Sequence, residues 1–246
     1  LTVQDQMVDT IVHGGVIVSS TDTYEAAIAI KDSKVVAIGP LDILPRARDY
    51  IDATGKYVLP GPIDCHIHLG SMAEGRVDDW TSGPIAAAHA GITTMVSFAQ
   101  LKVAEKETPP DSVRRNTELV SAESVIDFSF HIMMNNQPYV YEGLKRFIPE
   151  VMSLGVPSFK MFMTYKGQVT DEFMARAMDI IAVHGGLAQV HCENGGAPAF
   201  LEEKALIEGR VAPKDYPATR PPWIEDEAVN RALHLASMTN CPLHVV

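Results

Sequence analysis

The sequence predicts an α/β protein: a parallel barrel of alternating strands and helices, preceded by a small all-β unit. Three observations favour this fold. From Tyr57 onward, apolar runs and amphipathic segments alternate at intervals of about 30 residues, the length of a βα unit. Residues 8–58 read instead as short strands between turns. Polar residues that suit a binding site stand at the ends of several predicted strands, as they do at the mouth of a barrel.

The amino-terminal segment, residues 1–56, is predicted to form the β unit. Its β-branched runs are short, and Gly14-Gly15 together with two polar stretches supplies the turns that separate them. The strands of this unit are predicted at residues 10–18, 25–30 and 34–38.

The second segment, residues 57–246, is predicted to form the barrel. Short polar side chains that can cap a first helical turn precede several of its helices, as in Thr170-Asp171-Glu172. Strands are predicted at residues 57–66, 93–99, 127–134, 158–163, 187–193 and 242–246. Helices are predicted at about residues 81–90, 112–122, 141–153, 171–184 and 226–239.

Parallel βα repeats form either a closed barrel or an open doubly wound sheet. No glycine-rich phosphate loop follows the first predicted strand, as a dinucleotide-binding sheet would require. Candidate ligands instead follow or lie in three separate strands: His66, His68, Lys160 and His191. We therefore predict a TIM-type (β/α)8 barrel that is truncated after its sixth strand, since the repeat pattern stops at Val246.

Composition excludes several classes of function. The 246 residues carry a net charge of -11 without a run of basic residues, which argues against a nucleic-acid partner or an anionic membrane surface. The 3 cysteines fit neither a disulfide framework nor a CxxC zinc site, so a reducing, cytoplasmic location is expected. Residues 1–6 lack the features of a targeting signal, and no apolar run is long enough to span a membrane.

The segment from Gly61 to Gly70 carries the most specific chemical signal. It sets His66 and His68 two residues apart at the end of an apolar run. Alternate side chains of a strand share a face, so the two imidazoles are predicted to lie side by side, with Cys65 and Ile67 on the opposite face. Two neighbouring imidazoles can bind one metal ion, although a His-x-His pair alone also occurs by chance.

Four stretches in order resemble the amidohydrolase superfamily, and within it the cyclic amidases, which are the dihydropyrimidinases and hydantoinases. The resemblance covers nearly the whole chain, and its β unit is similar to the sandwich that flanks the barrel in that family. The four stretches are Asp64-Cys65-His66-Ile67-His68, the segment Ser158 to Gly167, the segment Val190 to Gly195, and Arg220-Pro221-Pro222 with Glu225, Glu227 and Ala228.

The resemblance implies a site for two divalent metal ions, which we expect to be zinc. His66 and His68 would bind the more buried ion, His191 the more exposed one, and Lys160 would bridge both after CO2 has carboxylated its amine. An ammonium cannot ligate a cation, whereas a carbamate presents two anionic oxygens. The apolar neighbours in Met161-Phe162-Met163 make an unpaired ammonium costly at this position.

The resemblance further implies an enzyme that hydrolyses a cyclic amide, a dihydropyrimidine or hydantoin ring, with a metal-bridged hydroxide as the nucleophile. Tyr165 would donate a hydrogen bond to the oxyanion that develops on the carbonyl. Asp64 would orient a ligand histidine without binding metal. The expected partner is a small cyclic amide, and the expected assembly is a homo-oligomer, a tetramer.

The carboxyl-terminal segment limits what the resemblance can supply. Its sixth strand ends in Leu243-His244-Val245-Val246, where the family reads Leu-Tyr-Val-Val-His, so the next ligand would follow Val246. By strand alternation His244 is then predicted to face the helix layer. The aspartate that acts as ligand and general base in the family also lies beyond this sequence, which leaves the activity of this polypeptide by itself open.

Two other functions remain open from the sequence. One is an allantoinase-type amidohydrolase, although the stretch from Phe162 to Tyr165 favours the hydantoinase side. The other is a non-catalytic relative that serves as an oligomeric scaffold, which retention of the four candidate ligands disfavours. The remaining histidines are interpreted as structural: His13, His89, His131, His184 and His234.

Overall fold

The fold divides into two compact units, Leu1–Gly61 and Pro62–Val246. A computed structural model describes residues 7–70 and 78–246. The amino-terminal residues for which the sequence predicts no targeting signal, 1–6, lie outside the described residues. None of the helices within the described ranges combines the length and the apolar character that a membrane span requires.

The first unit consists of two small sheets. One has four strands in the order β5-β4-β1-β6, and the other has three in the order β3-β2-β7. Gly14 adopts a left-handed backbone (φ 77°) that allows the chain to leave the first sheet and enter the second. The strands are β1 Val8–His13, β2 Val16–Val18, β3 Thr23–Glu25, β4 Ala27–Lys31, β5 Lys34–Gly39, β6 Ala47–Asp52 and β7 Tyr57–Val58.

The second unit is built on a six-stranded parallel sheet in the order β13-β12-β11-β10-β9-β8. The predicted parallel alternation of strands and helices is confirmed. The strands are β8 Ile63–Asp64, β9 Thr94–Ala99, β10 Asp127–Met133, β11 Ser158–Phe162, β12 Leu187–His191 and β13 Leu243–Val245. The helices are α1 Ser82–His89, α2 Pro109–Glu123, α3 Pro138–Ser153, α4 Asp171–Val183, α5 Gly196–Ile207 and α6 Trp223–Thr239.

Each strand of this sheet pairs with the next strand along the chain, so the right-handed crossovers all fall on one face. The helices there cover a core that includes Phe159, Met161 and Met178, which are fully buried. Thr170 begins α4 as predicted, because its hydroxyl oxygen accepts a hydrogen bond from the Phe173 N–H at 3.1 Å. The opposite face of the sheet is left for polar side chains.

The single strand predicted over residues 57–66 is wrong. Tyr57–Val58 pairs with β2 in the first unit, whereas Ile63–Asp64 pairs with β9 in the second. Pro60 and Pro62 lie between the two pieces, and neither proline has an N–H with which to continue a ladder.

Helix α5 is absent from the sequence prediction. Its first turn, Gly196-Ala197-Pro198, resembles a turn by composition, which is why the sequence favours a loop there. The structure shows the compensating contact: Asn194 Oδ1 accepts hydrogen bonds from the N–H groups of Gly196 and Ala197, at 3.0 and 3.1 Å. An asparagine two residues before a helix start is the signal that could have identified this element.

Candidate active site

The two histidines of the His-x-His pair lie together beyond the end of β8. Their ring centroids are 5.3 Å apart, and both rings contact the ring of Phe98, at 4.7 Å for His66 and 4.6 Å for His68. The predicted proximity of the two imidazoles is therefore present. Burial and the positive charge of Lys160 lower the pKa of His66, which keeps its imidazole neutral and able to bind a metal.

A regular continuation of β8 does not explain why the pair lies on the same face as Phe98. Ile63 pairs in register with Thr94, which shares a face with Phe98, so Asp64 points to the other face. Continued alternation would place His66 with Asp64, away from Phe98, yet the His66 ring contacts Phe98. The regular strand ends at Asp64, and the backbone turns His66 to the inner face at that point.

Asp64 acts on the backbone at this turn. Its Oδ1 accepts a hydrogen bond from the His66 N–H at 3.1 Å. The carboxylate is thus placed to fix the main chain at the first candidate ligand.

Lys160 lies in the middle of β11 with only 2% of its surface exposed. Its Nζ is 5.5 Å from the centroid of the Phe98 ring and 4.9 Å from that of Phe162. Within the described ranges, no hydrogen-bond acceptor or carboxylate partners this ammonium. Burial lowers the pKa of Lys160 to about 8.

His191 and Tyr165 lie on the other side of Lys160, next to Phe162. His191 ends β12, as predicted, and its ring centroid is 5.8 Å from that of Phe162 and 5.5 Å from that of Tyr165. Tyr165 follows β11 and has a left-handed backbone (φ 62°). Partial desolvation and the carboxylate of Glu193 raise the pKa of Tyr165, so its hydroxyl stays protonated and able to donate.

An acidic and a basic side chain border His191. Glu193 Oε2 is 3.4 Å from His191 Nε2, and its other oxygen is 3.1 Å from Arg220 Nε. The Arg220 guanidinium also contacts Glu202, at 2.8 Å, and lies over the ring of Tyr216. Arg220 belongs to the fourth stretch of the sequence resemblance, and here it connects β12 to the segment before α6.

The donor set is compatible with divalent metal ions. No group of three or more His, Cys, Asp or Glu side chains in the described part of the chain is arranged to hold a metal by itself. The candidate set, however, depends on a lysine. A carboxylated lysine would connect the two neighbouring imidazoles to His191 on its other side. Its buried amine has no counter-charge among the described residues. The set would hold the metal ions once that amine carries a carboxylate.

A buried polar group that sequence reasoning interpreted as purely structural lies beneath this set. His131, on β10, is 6% exposed, with Nδ1 2.5 Å from Ser158 Oγ and Nε2 2.9 Å from the Cys65 carbonyl oxygen. Gln189 Nε2 is 3.4 Å from the same Nε2, and Gln189 Oε1 is buried without a partner in the described part of the chain. Serine and glutamine at alternate positions of otherwise apolar strands were the available sequence signal.

The prediction that His244 faces the helix layer is wrong. His244 pairs in register with Gln189, and Gln189 pairs with Lys160, so all three side chains belong to the inner face. Burial is the main cause of the lowered pKa values of His66 and His131, and an electrostatic contribution from His244 to both is consistent with its place on this face. The prediction counts parity from a residue beyond Val246, whereas the observed register of β13 with β12 determines the face of His244.

Among the cavities that the described residues form at the carboxyl ends of these strands, two differ in their relation to the candidate ligands. One of about 370 Å³ includes His191, Glu193 and Arg220. The larger, of about 980 Å³, is lined by polar groups that include Asn135 and Gln168, and it contains none of the candidate ligands. The smaller cavity is therefore the better candidate for an approach to the site.

Sequence comparison finds extensive similarity to cyclic amide hydrolases. The chain is 38% identical over 241 residues to a D-hydantoinase of Geobacillus stearothermophilus, covering 96% of this chain and 50% of that protein. It is 34% identical over 242 residues to a dihydropyrimidinase of Arabidopsis thaliana, covering 96% and 44%. No family model matches the chain. The chain spans about half the length of the curated relatives it matches.

Comparison with solved structures also finds similarity to hydantoinases. A solved structure of a D-hydantoinase superposes with a TM-score of 0.87 at 34% identity, covering 97% of this chain and 51% of that one. The parallel sheet is thus a curled half-barrel sheet similar to that of hydantoinase structures. The resemblance stated from four sequence stretches is confirmed.

Proposed function

We propose that this chain, which belongs to the hydantoinase/dihydropyrimidinase branch of the amidohydrolase superfamily, is part of an enzyme that opens a cyclic amide by hydrolysis. Its substrates would be dihydropyrimidine or hydantoin rings, which contain the amide bond that such an enzyme cleaves. The observation that carries the proposal is Lys160, a buried amine between two groups of candidate ligands that has no counter-charge among residues 7–70 and 78–246.

The lowered pKa of Lys160 supports its carboxylation. CO2 reacts with the neutral amine, and with a pKa of about 8 roughly a tenth of the amine is neutral at pH 7, far more than at the ordinary value of 10.5. Carboxylation would replace an unpaired buried cation by an anion, which the metal ions would in turn neutralise.

In the proposed site, His66, His68 and His191 hold two zinc ions together with carboxylated Lys160. When bound, divalent ions would polarise the amide carbonyl and make a hydroxide nucleophile available near neutral pH. Tyr165 would donate its hydroxyl proton in a hydrogen bond to the carbonyl oxygen as negative charge builds on it. Asp64 would hold the main chain of His66, so that its imidazole keeps its place.

We also infer the larger architecture from the family. The six-stranded sheet would be the first part of a (β/α)8 barrel, and the two sheets of the first unit would correspond to the sandwich of that family, with a domain boundary near residue 57. The whole protein would be a cytoplasmic homotetramer whose remaining metal ligand and general base lie outside these 246 residues.

Lys160→Ala in the full-length protein tests the function. We expect about two zinc ions per protomer in the unaltered protein, and loss of both metal and activity toward dihydrouracil and hydantoin in the variant. Propionate should restore part of the activity, because the missing group is an anionic bridge. Metal analysis measures the zinc content, and a substrate panel that includes allantoin measures the activity. Lys145→Ala, at an exposed position of α3, is the matched control.

Three outcomes would contradict the proposal. A full-length protein that holds no metal after purification with bicarbonate and zinc would favour the scaffold alternative. Turnover of allantoin alone would favour the allantoinase alternative. Full activity of Lys160→Ala would remove the lysine from the site.

A further inference from the structure

The peptide group that joins Cys65 to His66 is held from both sides by side chains. His131 Nε2 lies 2.9 Å from the Cys65 carbonyl oxygen, and the His66 N–H donates to Asp64 Oδ1 at 3.1 Å. Because both polar atoms of the group are occupied, its plane is fixed relative to β10 on one side and to β8 on the other.

This peptide is the point at which the chain departs from strand geometry. Asp64 points away from Phe98 by register, whereas the His66 ring contacts Phe98. A rotation of the backbone between these residues is required to bring His66 to the inner face. Asp64 belongs to the same segment, whereas His131, 66 residues away in sequence, supplies a long-range side-chain contact to this peptide.

The partners of His131 determine its tautomer. A carbonyl oxygen only accepts, so Nε2 must carry the proton that it donates to Cys65. The Gln189 amide, 3.4 Å from the same nitrogen, is compatible with this proton once its oxygen and nitrogen are exchanged, so that its oxygen accepts. Nδ1 then accepts from the Ser158 hydroxyl, 2.5 Å away. Burial lowers the pKa of His131, and the charges of His244 and Lys160 act in the same direction, so the ring stays neutral.

We propose that His131 is a positioning residue for the metal site, which fixes the Cys65–His66 peptide and thereby aims the imidazole of His66 at the metal. Ser158 supports it by fixing the Nε2–H tautomer. The inference rests on the proposed function, because it assigns His66 as a metal ligand. It goes further by placing the control of that ligand on β10 and β11, in two residues that are not among the candidate ligands.

Two amide substitutions separate positioning from packing. In His131→Gln the side-chain amide nitrogen reaches about as far as Nε2 and can still donate to the Cys65 carbonyl oxygen. In His131→Asn the amide ends near the position of Nδ1 and faces Ser158 only. The full-length, metal-loaded proteins would be compared for zinc dissociation constant by chelator competition, and for thermal unfolding of the metal-free form.

We expect His131→Asn to weaken zinc binding by about 10- to 100-fold, the usual effect of losing a group that orients a ligand, and His131→Gln to stay within about threefold of the unaltered protein. Ser158→Ala should weaken binding in the same direction by a smaller factor, because the ring can then adopt the other tautomer. His234→Gln, on the exposed face of α6, should have no effect.

Equal zinc affinity in the Asn and Gln variants would overturn the inference, whether both match the unaltered protein or both are impaired. If His131→Asn does not fold, unchanged affinity in Ser158→Ala overturns it. An unaltered protein that binds zinc but hydrolyses no cyclic amide would refute the proposed function and leave this inference standing. An unaltered protein that binds no metal would refute both.

Discussion

At the residue scale, Tyr165 lies next to a candidate ligand and has a left-handed backbone conformation. Its ring lies 5.5 Å from that of His191, at the mouth of the strands, and its φ is 62°. A bulky residue in this region is strained, and such strain often marks functional positions. The neighbouring Glu193 raises the pKa of the hydroxyl further, which preserves its proton for donation.

Tyr165→Phe tests this role directly. Removal of the hydroxyl should lower kcat by roughly 100-fold, because the donor acts mainly on the oxyanion of the transition state. KM should change much less. Steady-state kinetics of the full-length enzyme with dihydrouracil make the measurement, and zinc content should stay constant as a control for the metal site. Equal kcat values would remove Tyr165 from the mechanism.

The sequence indicates candidate ligands, but it does not indicate the contacts that surround them. His66, His68 and His191 are visible because metal-binding imidazoles have a recognisable spacing and place. His131 was read as structural, since nothing in a single strand shows that its ring reaches Cys65 through space. The sequence predicts the wrong face for His244 because its parity is counted from a residue beyond Val246 and the register with Gln189 is not visible locally.

At the element scale, helix α4 shows how a local contact fixes the loop that carries Tyr165. The loop leaves β11 and ends at Thr170, which caps the first turn of α4 through Phe173. The buried side of this helix, including Phe173 and Met174, then anchors it on the sheet. Helix α4 can be predicted from the sequence because both its cap and its apolar periodicity are local patterns.

Thr170→Ala should lower the free energy of unfolding by about 1 kcal/mol, since the Phe173 N–H loses its acceptor. Thr170→Ser keeps a hydroxyl at the cap and is the matched control. Denaturant unfolding of the full-length protein makes the measurement. If the Ala and Ser variants have the same stability, the cap contributes nothing to the helix.

Two elements show where local patterns are insufficient. The region of β7 and β8 reads as one apolar run, but the prolines inside it divide it between two sheets. Helix α5 begins with residues that usually form turns, and it depends on Asn194 for its first N–H groups. In both cases a few hydrogen bonds, rather than hydrophobic periodicity, determine the structure.

At the scale of the whole molecule, repeated strand–helix spacing was enough to predict a parallel sheet, because its period of about 30 residues recurs along most of the chain. The division into two units follows a change of pattern that is also visible in sequence. Contacts between distant strands, such as the register of β12 with β13, could not be predicted, since no local signal encodes them.

The first unit exposes apolar side chains on both edge strands of its larger sheet. Val36 and Ile38 on β5 are 48% and 49% exposed, and Ile51 on β6 is 53% exposed. Exposed apolar groups at sheet edges favour association. This surface supports the proposed oligomer.

We expect the full-length protein to be a tetramer. Ile38→Glu should reduce the molar mass of the assembly in solution, because it would place a carboxylate in an apolar contact between protomers. Light scattering after size-exclusion chromatography measures the effect, and Lys34→Glu, at the polar start of the same strand, is the control. A monomeric full-length protein, or an Ile38→Glu variant of unchanged mass, would contradict this role for the first unit.

The left-handed backbone of Tyr165 has a consequence for laboratory evolution. Glycine adopts that conformation without the strain of about 1–2 kcal/mol that a side chain causes there. A library screened only for heat resistance should therefore enrich Tyr165→Gly. The enriched variants should have higher thermal stability and a lower kcat. A screen of this protein should therefore select for activity as well as stability. At position 165 the residue that gives the highest stability differs from the residue that gives the highest activity.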